Sequence, residues 1–389
     1  MRILIQMGDP YSMDNPCTKR MRAFRDEFIK NGYDVIIMAP KTDGVAPIEH
    51  VIYCPTIALK KKTIIYRLLN SFCFALTSIL YGFKVGKVDV VITTCPPPLI
   101  NMAGWLLAKI KRAKLIYDVR DVWPDVALEM RSFSEKSIYS KVFAFIRNFM
   151  LRHSDLTIAV SPGKIKKLKG YVKDVDCTDV LNGFDNKFLE NSINSKIIEK
   201  YATRKSFKCV YIGNLGLAQG LHQLLYIAQR TQENKMNAEF YLYGSGAEEE
   251  DLKHFVKQHK LENVFFEGRL PNADMLSVLE AMDISFVSLV NSNLKDSVPT
   301  KLYEALGVGC PVLLAAEGDS ADILQESKLG VAVSPNNNGE LWNGFMELYQ
   351  NHSFYMENAE HAKKLMQTKY SRQAASKKMV EEIERLLLK

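Results

Sequence analysis

The chain has 389 residues, 47% hydrophobic and 24% charged, which is longer than one ordinary domain and excludes a disordered polymer. Its net charge of +7 is unevenly spread: residues 1–195 carry 29 Lys/Arg against 19 Asp/Glu, and the remainder 22 against 25. A basic half beside a mildly acidic half points to a polyanionic partner for the first half, with anionic lipid and nucleic acid as the candidates.

From the first residue the pattern alternates strand and helix. Residues 2–7 read as a strand, 19–31 as an amphipathic helix closed by Gly32, and 34–39 as a second strand. Residues 64–83, IIYRLLNSFCFALTSILYGF, are long enough to span a membrane, but Arg67, Asn70, Ser71, Thr77 and Ser78 interrupt them. With Lys60, Lys61 and Lys62 before it and Lys84 and Lys87 after it, this segment reads as a core helix or as a helix lying in a membrane interface. A strand at 88–93, a helix at 100–111, a strand at 114–119, an aromatic-rich helix at 137–152, a strand at 156–160 and a helix at 161–169 follow. The opening MRILIQMGDP reads as a strand, not a signal peptide, and seven scattered cysteines without metal spacing fit a reducing compartment.

The alternation restarts at 209–212, with a helix at 221–232 and further strands at 239–243, 264–267, 284–289, 311–314 and 331–333. A polar stretch at 186–206 reads as the linker, and a charged helix near 371–388 as an element able to cross back onto the first domain. Strands separated by helices of ten or more residues make parallel sheets, so the expected class is α/β, with two doubly wound domains. The expected ranges are 1–190, 205–370 and the final helix 371–389, with ligands in the cleft at the carboxyl ends of the strands.

Three segments carry candidate chemistry. The loop from Gly213 to Gly220 (GNLGLAQG) follows a strand and precedes a helix; its glycines let backbone amides approach a phosphate, although a simple tight turn has the same residues. In Pro299-Thr300-Lys301-Leu302-Tyr303-Glu304, the proline and Thr300 mark a helix start, with Thr300 read as the N-cap. Lys301 and Glu304 then share one face, where a lysine can hold a diphosphate and a carboxylate a ribose; a surface ion pair is the alternative. The third segment, Tyr117 to Asp125, places Arg120, Asp121 and Trp123 at the end of a buried strand, as acid/base equipment, a sugar clamp or a solvated loop.

Together with Cys95-Pro-Pro-Pro-Leu99, Arg120-Asp-Val-Trp-Pro124, Val160-Ser-Pro-Gly163, Leu181-Asn-Gly-Phe-Asp185 and Tyr243-Gly-Ser-Gly246, these segments resemble glycosyltransferase family four, in its branch that builds O-antigens, capsules and exopolysaccharides. The resemblance implies a GT-B fold of two Rossmann-like domains facing a cleft, and retaining transfer from a nucleotide-sugar donor without a metal or other cofactor. It implies donor contacts from Gly213, Asn214, Gly216, Gln219, Gly246, Arg269, Thr300, Lys301, Leu302 and Glu304. Arg120, Asp121 and Asp296 are the expected catalytic residues, and Gly8, Asp9 and Trp123 the expected acceptor contacts. Asp296 stands where the wider family has a glutamate, and Arg120-Asp121 where relatives carry His-Asp.

The acceptor expected is a lipid-linked glycan, with the basic domain on the inner face of the cytoplasmic membrane. A nucleotide-sugar epimerase of the same architecture and a non-catalytic membrane-surface scaffold are the rivals. Nucleic acid is not expected, since no basic motif interleaved with aromatics is present.

Overall fold

The structure, a computed structural model, describes residues 1–42, 44, 46–57, 64–129 and 134–388. The chain divides into two units, residues 1–182 with 372–389, and residues 183–371.

In the first unit the order is β1 (Arg2–Gln6), α1 (Pro16–Lys30), β2 (Asp34–Pro40), β3 (Val51–Cys54), α2 (Ile64–Lys84), β4 (Val90–Cys95), α3 (Pro98–Lys111), β5 (Lys114–Val119), α4 (Asp125–Glu129), α5 (Ile138–His153), β6 (Leu156–Ala159), α6 (Pro162–Tyr171) and β7 (Cys177–Asp179). The strands form a parallel sheet in the order 3-2-1-4-5-6-7. β4 is buried along its whole length, as a central parallel strand covered on both faces must be. The helices begin where side chains replace missing partners for the first amides: Asn15 accepts from the Thr18 amide ahead of Pro16, and Ser161 from that of Lys164 ahead of Pro162. This cap starts α1 at Pro16, three residues before the expected Lys19.

β3, α4 and β7 were not legible as elements. β3 and β7 are edge strands of four and three residues, too short to stand out as strand patterns. Among the described residues no helix is long and apolar enough to cross a membrane. Lys60, Lys61 and Lys62 lie outside the described residues.

The second unit contains α7 (Ser195–Ala202), β8 (Phe207–Ile212), α8 (His222–Glu233), β9 (Ala238–Tyr243), α9 (Glu249–Gln258), β10 (Val264–Gly268), α10 (Met275–Glu280), β11 (Ile284–Ser288), α11 (Thr300–Val308), β12 (Val312–Ala315), α12 (Asp319–Ser327), β13 (Gly330–Val333), α13 (Asn338–Gln350), α14 (His352–Met356) and α15 (Ala359–Gln367). Its parallel sheet runs 10-9-8-11-12-13, so both units share one winding order. The expected linker is corrected here. Residues 186–206 are structured within the second unit, where Asn194 bonds Ser277 and Asp274, and the division falls at 182/183.

The last helix, α16 (Arg372–Leu387), belongs with the first unit and packs on α1. Its Met379, Ile383 and Leu386 are buried in one core with Phe24 and Phe28 of α1 and Ile3 and Ile5 of β1. Arg385 pairs with Asp176, Lys378 with Asp179, and the Tyr33 hydroxyl donates to Glu384. The opposite face of the sheet carries a separate core with residues from α2, α3, α5 and α6. All seven cysteines are free thiols.

Because Ile383 is fully buried, Ile383→Ala should cost about 2–5 kcal/mol. Urea unfolding followed by circular dichroism measures it, and an unshifted midpoint would show that α16 does not help to hold the first unit together.

Candidate functional site

Each sheet reverses its winding between two neighbouring strands, β1 and β4 in the first unit and β8 and β11 in the second. Crevices outside the carboxyl ends of such strands receive ligands in doubly wound folds.

In the second unit, β8 runs into the loop 213–220 and β11 into the segment leading to α11. The loop is braced from below: Tyr211, fully buried, donates its hydroxyl to the Asn214 carbonyl at 2.7 Å. The Gly213 amide donates to the Tyr243 carbonyl and that of Leu215 to Ser245, which joins this loop to the one after β9. Gly213 has φ +150, a conformation that favours glycine, and a Cβ there would lie 2.9 Å from the Lys301 ammonium, which would have to shift. Gly246 meets the Leu215 backbone closely in the same way. A single turn at Leu217–Gln219 separates the loop from α8, and the Ser288 hydroxyl holds the Gln219 carbonyl at 2.6 Å. Asn214 is exposed, Gly216 is buried, and the side-chain oxygen of Gln219 has no hydrogen-bond partner among the described residues.

α11 turns Lys301 and Glu304 to one face while Leu302, Tyr303, Ala305 and Leu306 go into the core. Pro299, not Thr300, is the N-cap; it is extended and has no side chain that can cap, and Thr300 is the first helical residue. Gly309, at φ +80, ends it. Lys301 does more than make a surface ion pair. Its ammonium donates to the Tyr211 hydroxyl at 2.6 Å and lies 4.0 Å from the centre of that ring. Burial pulls the Lys301 ammonium down to about 7, against a smaller upward pull from Glu304.

The remaining donor candidates are placed as follows. Arg269 is exposed after β10 and donates to the Ser245 hydroxyl at 2.8 Å, beside Gly246. Asp296 is buried in the turn before α11. The side chain of Leu302 is fully buried, which leaves it no surface to offer a ligand.

In the first unit the acidic residues of the segment Tyr117 to Asp125 have separate partners. Asp118 is fully buried and accepts from Arg20 at 3.0 Å and from the Thr94 hydroxyl at 2.8 Å. Asp125 points elsewhere, accepting from Arg147 and the Tyr171 hydroxyl. Arg120 donates to Thr94 at 3.0 Å and to the Pro96 carbonyl at 2.8 Å, and Asp9 lies 3.8 Å from it. Gly8 sits against Pro97, Asp121 is half-buried, and Trp123 packs edge-on to Phe143. Arg20, which also donates to the Leu181 carbonyl, carried no motif signal; only the fold brings α1 beneath β4 and β5.

Two outcomes follow. Arg20→Met should cost about 3–5 kcal/mol in urea unfolding, because it strands a buried carboxylate. Lys301→Met should stabilise the unliganded protein, and more at pH 6 than at pH 10. Between about 7 and the ordinary lysine range the unfolded chain holds the extra proton, so the native lysine costs most below that window. A pH-independent gain in urea unfolding would contradict burial of the charge.

The sequence model of Glycosyltransferase Family 4 matches residues 18–186, and that of Glycosyl transferases group 1 matches residues 194–367. The chain is 24% identical over 279 residues to "Probable glycosyltransferase WbjE" of Pseudomonas aeruginosa, covering 67% of this chain and 66% of that protein. The matched region thus spans just under two thirds of that relative's length. Sucrose-phosphate synthase from Thermosynechococcus elongatus superimposes with a TM-score of 0.82 at 18% identity, over 100% of both chains. Anabaena Alr3699/HepE, solved with UDP-glucose, gives 0.74 at 15% identity, over 98% of this chain and 99% of its own. WaaG, a glycosyltransferase involved in lipopolysaccharide biosynthesis, gives 0.74 at 14%, over 98% of this chain and 99% of its own. With one glycosyltransferase model over most of each unit and this fold, the chain is a family-four-like protein of GT-B architecture.

Proposed function

We propose that the chain transfers a glycosyl group from a nucleoside-diphosphate sugar to a lipid-linked glycan acceptor in O-antigen, capsule or exopolysaccharide synthesis. The observation that carries this is the place of Lys301: a half-buried ammonium under a glycine loop, one turn before Glu304, at the winding reversal of the second sheet. The UDP-glucose complex of the Anabaena relative and the lipopolysaccharide role of WaaG support the donor class and the pathway class.

In this reading the diphosphate meets Lys301 and the amides of loop 213–220, and Glu304 accepts the ribose hydroxyls. The bond from the anomeric carbon to the diphosphate breaks as the bond to the acceptor oxygen forms, with retention of configuration. The leaving charge falls on Lys301 and loop amides, not on a metal ion. The acceptor hydroxyl loses its proton to a carboxylate, for which Asp121 and Asp296 are the candidates. The first unit, with Asp9, Arg120 and Trp123, receives the acceptor at the inner face of the cytoplasmic membrane.

A neutral lysine binds diphosphate poorly, so donor binding takes up a proton. Affinity for the cognate nucleoside diphosphate should fall as pH rises above about 7, by up to about tenfold per unit, and Lys301→Met should flatten that dependence. Isothermal titration at pH 6.5, 7.5 and 8.5 reads it, and an unchanged slope in the variant would remove Lys301 from the phosphate. In a thermal-shift screen of UDP, GDP, dTDP, CMP and NAD, one nucleoside diphosphate at 100 times its dissociation constant should add about 2.7 kcal/mol. Glu304→Ala should lose that gain. Stabilisation by NAD, or by none of them, would overturn the donor reading.

A further inference from the structure

One face of the first unit has a surface unlike the rest of the chain. α2 packs on α3 and α3 on α5, so three neighbouring helices cover one side of the seven-stranded sheet. Their inner sides fill the core, yet their outer sides are also apolar. On α2, Leu69, Phe72, Leu76, Leu80 and Phe83 recur every three or four residues and all are exposed, Leu80 by 62%. α5 repeats this with Ile138, Val142 and Phe145, the last 64% exposed, and α3 adds Leu106 and Ile110. Exposed rows of this kind on adjacent helices mark an interaction surface, since single scattered apolar residues need no explanation but a contiguous patch does.

The charge of these helices selects the partner. None of the three contains an aspartate or glutamate, although the chain has 44 of them. Arg67, Lys84, Lys109, Lys141 and Arg152 are exposed on the same helices. A second copy of the chain would bring identical basic rims together across a two-fold contact, which like charge opposes. An anionic bilayer answers both features at once: apolar side chains enter the acyl boundary and lysines meet headgroup phosphates.

We propose that α2, α3 and α5 together form an in-plane docking face for anionic lipid, on which the first unit rests without a spanning segment. This deepens the membrane-surface reading of the preceding subsection and rests on it. The face is built from three helices far apart in sequence. Docking therefore depends on the folded sheet, and α2 alone supplies only part of it.

The test is co-sedimentation of the purified chain with phosphatidylcholine vesicles, with and without phosphatidylglycerol as about a third of the lipid. The expected result is binding to the anionic vesicles, weakened by salt, and at least about tenfold weaker for Leu80→Asp/Phe145→Asp. Both positions are exposed, so the variant should keep its unfolding temperature and its nucleotide-induced thermal shift. Undiminished binding by the double variant would overturn the proposal, as would a wild-type dimer that ignores vesicles and that the double variant dissolves. Nucleotide binding is read on the same samples, so a failed donor reading is told apart from a failed docking face.

Discussion

A lysine placed against a tyrosine ring under a glycine loop is a costly arrangement, and much of the second unit exists to hold it. Lys301 loses water on burial, and the Tyr211 hydroxyl and ring replace only part of it. Tyr211 can serve because it is fully buried on β8 and because its own proton goes to the Asn214 carbonyl, which fixes the loop. Gly213 supplies the room that any other residue would fill. Burial lowers the Lys301 ammonium toward neutral pH, so under the proposed donor reading anion binding and protonation are coupled.

The first unit uses a buried charge differently. Asp118 is paired with Arg20 and held by Thr94, and the same Thr94 oxygen receives Arg120. A relay from α1 through β5 and β4 thereby sets an arginine at the strand ends, beside Asp9. The ion pair contributes little net stability, since desolvation offsets attraction, but it leaves Arg120 a defined orientation.

The two sides of the first sheet have different duties. One side is closed by α1 and by α16, which returns from the far end of the chain and completes the core. The other is closed by α2, α3 and α5, whose outer faces remain apolar and free of carboxylates. Separating the two lets the same domain be rigid inside and amphiphilic outside. It also gives a physical reason for the charge asymmetry of the sequence, because the excess of lysine and arginine in the first half is partly the rim of that face.

Local pattern was enough for much of this. Buried strands such as 90–95 and 114–119 are apolar runs that sequence periodicity shows directly, and the doubly wound class followed from their alternation with helices. The glycines at 213–220 and the pairing of Lys301 with Glu304 one turn apart were also legible, because a helix start and a glycine loop are local events. What remained hidden depends on residues that meet only after folding. The edge strands at 51–54 and 177–179 are only four and three residues long and are fixed by pairing with β2 and β6. The stretch 186–206 looked like a linker because its polarity hides bonds to Ser277 and Asp274, some eighty residues away. Asp118 and Asp125 lie in one short charged segment with Asp121 between them, yet packing sends each to a different arginine. Sequence determined most of the elements, the winding class and the glycine loop at 213–220, since those follow from spacing along one strand or helix. Tertiary structure alone decided that Tyr211 would lower the Lys301 face into the core, that Arg20 would anchor Asp118, and that three apolar rows would become one surface, because distance between sheet neighbours is set by topology and not by separation along the chain.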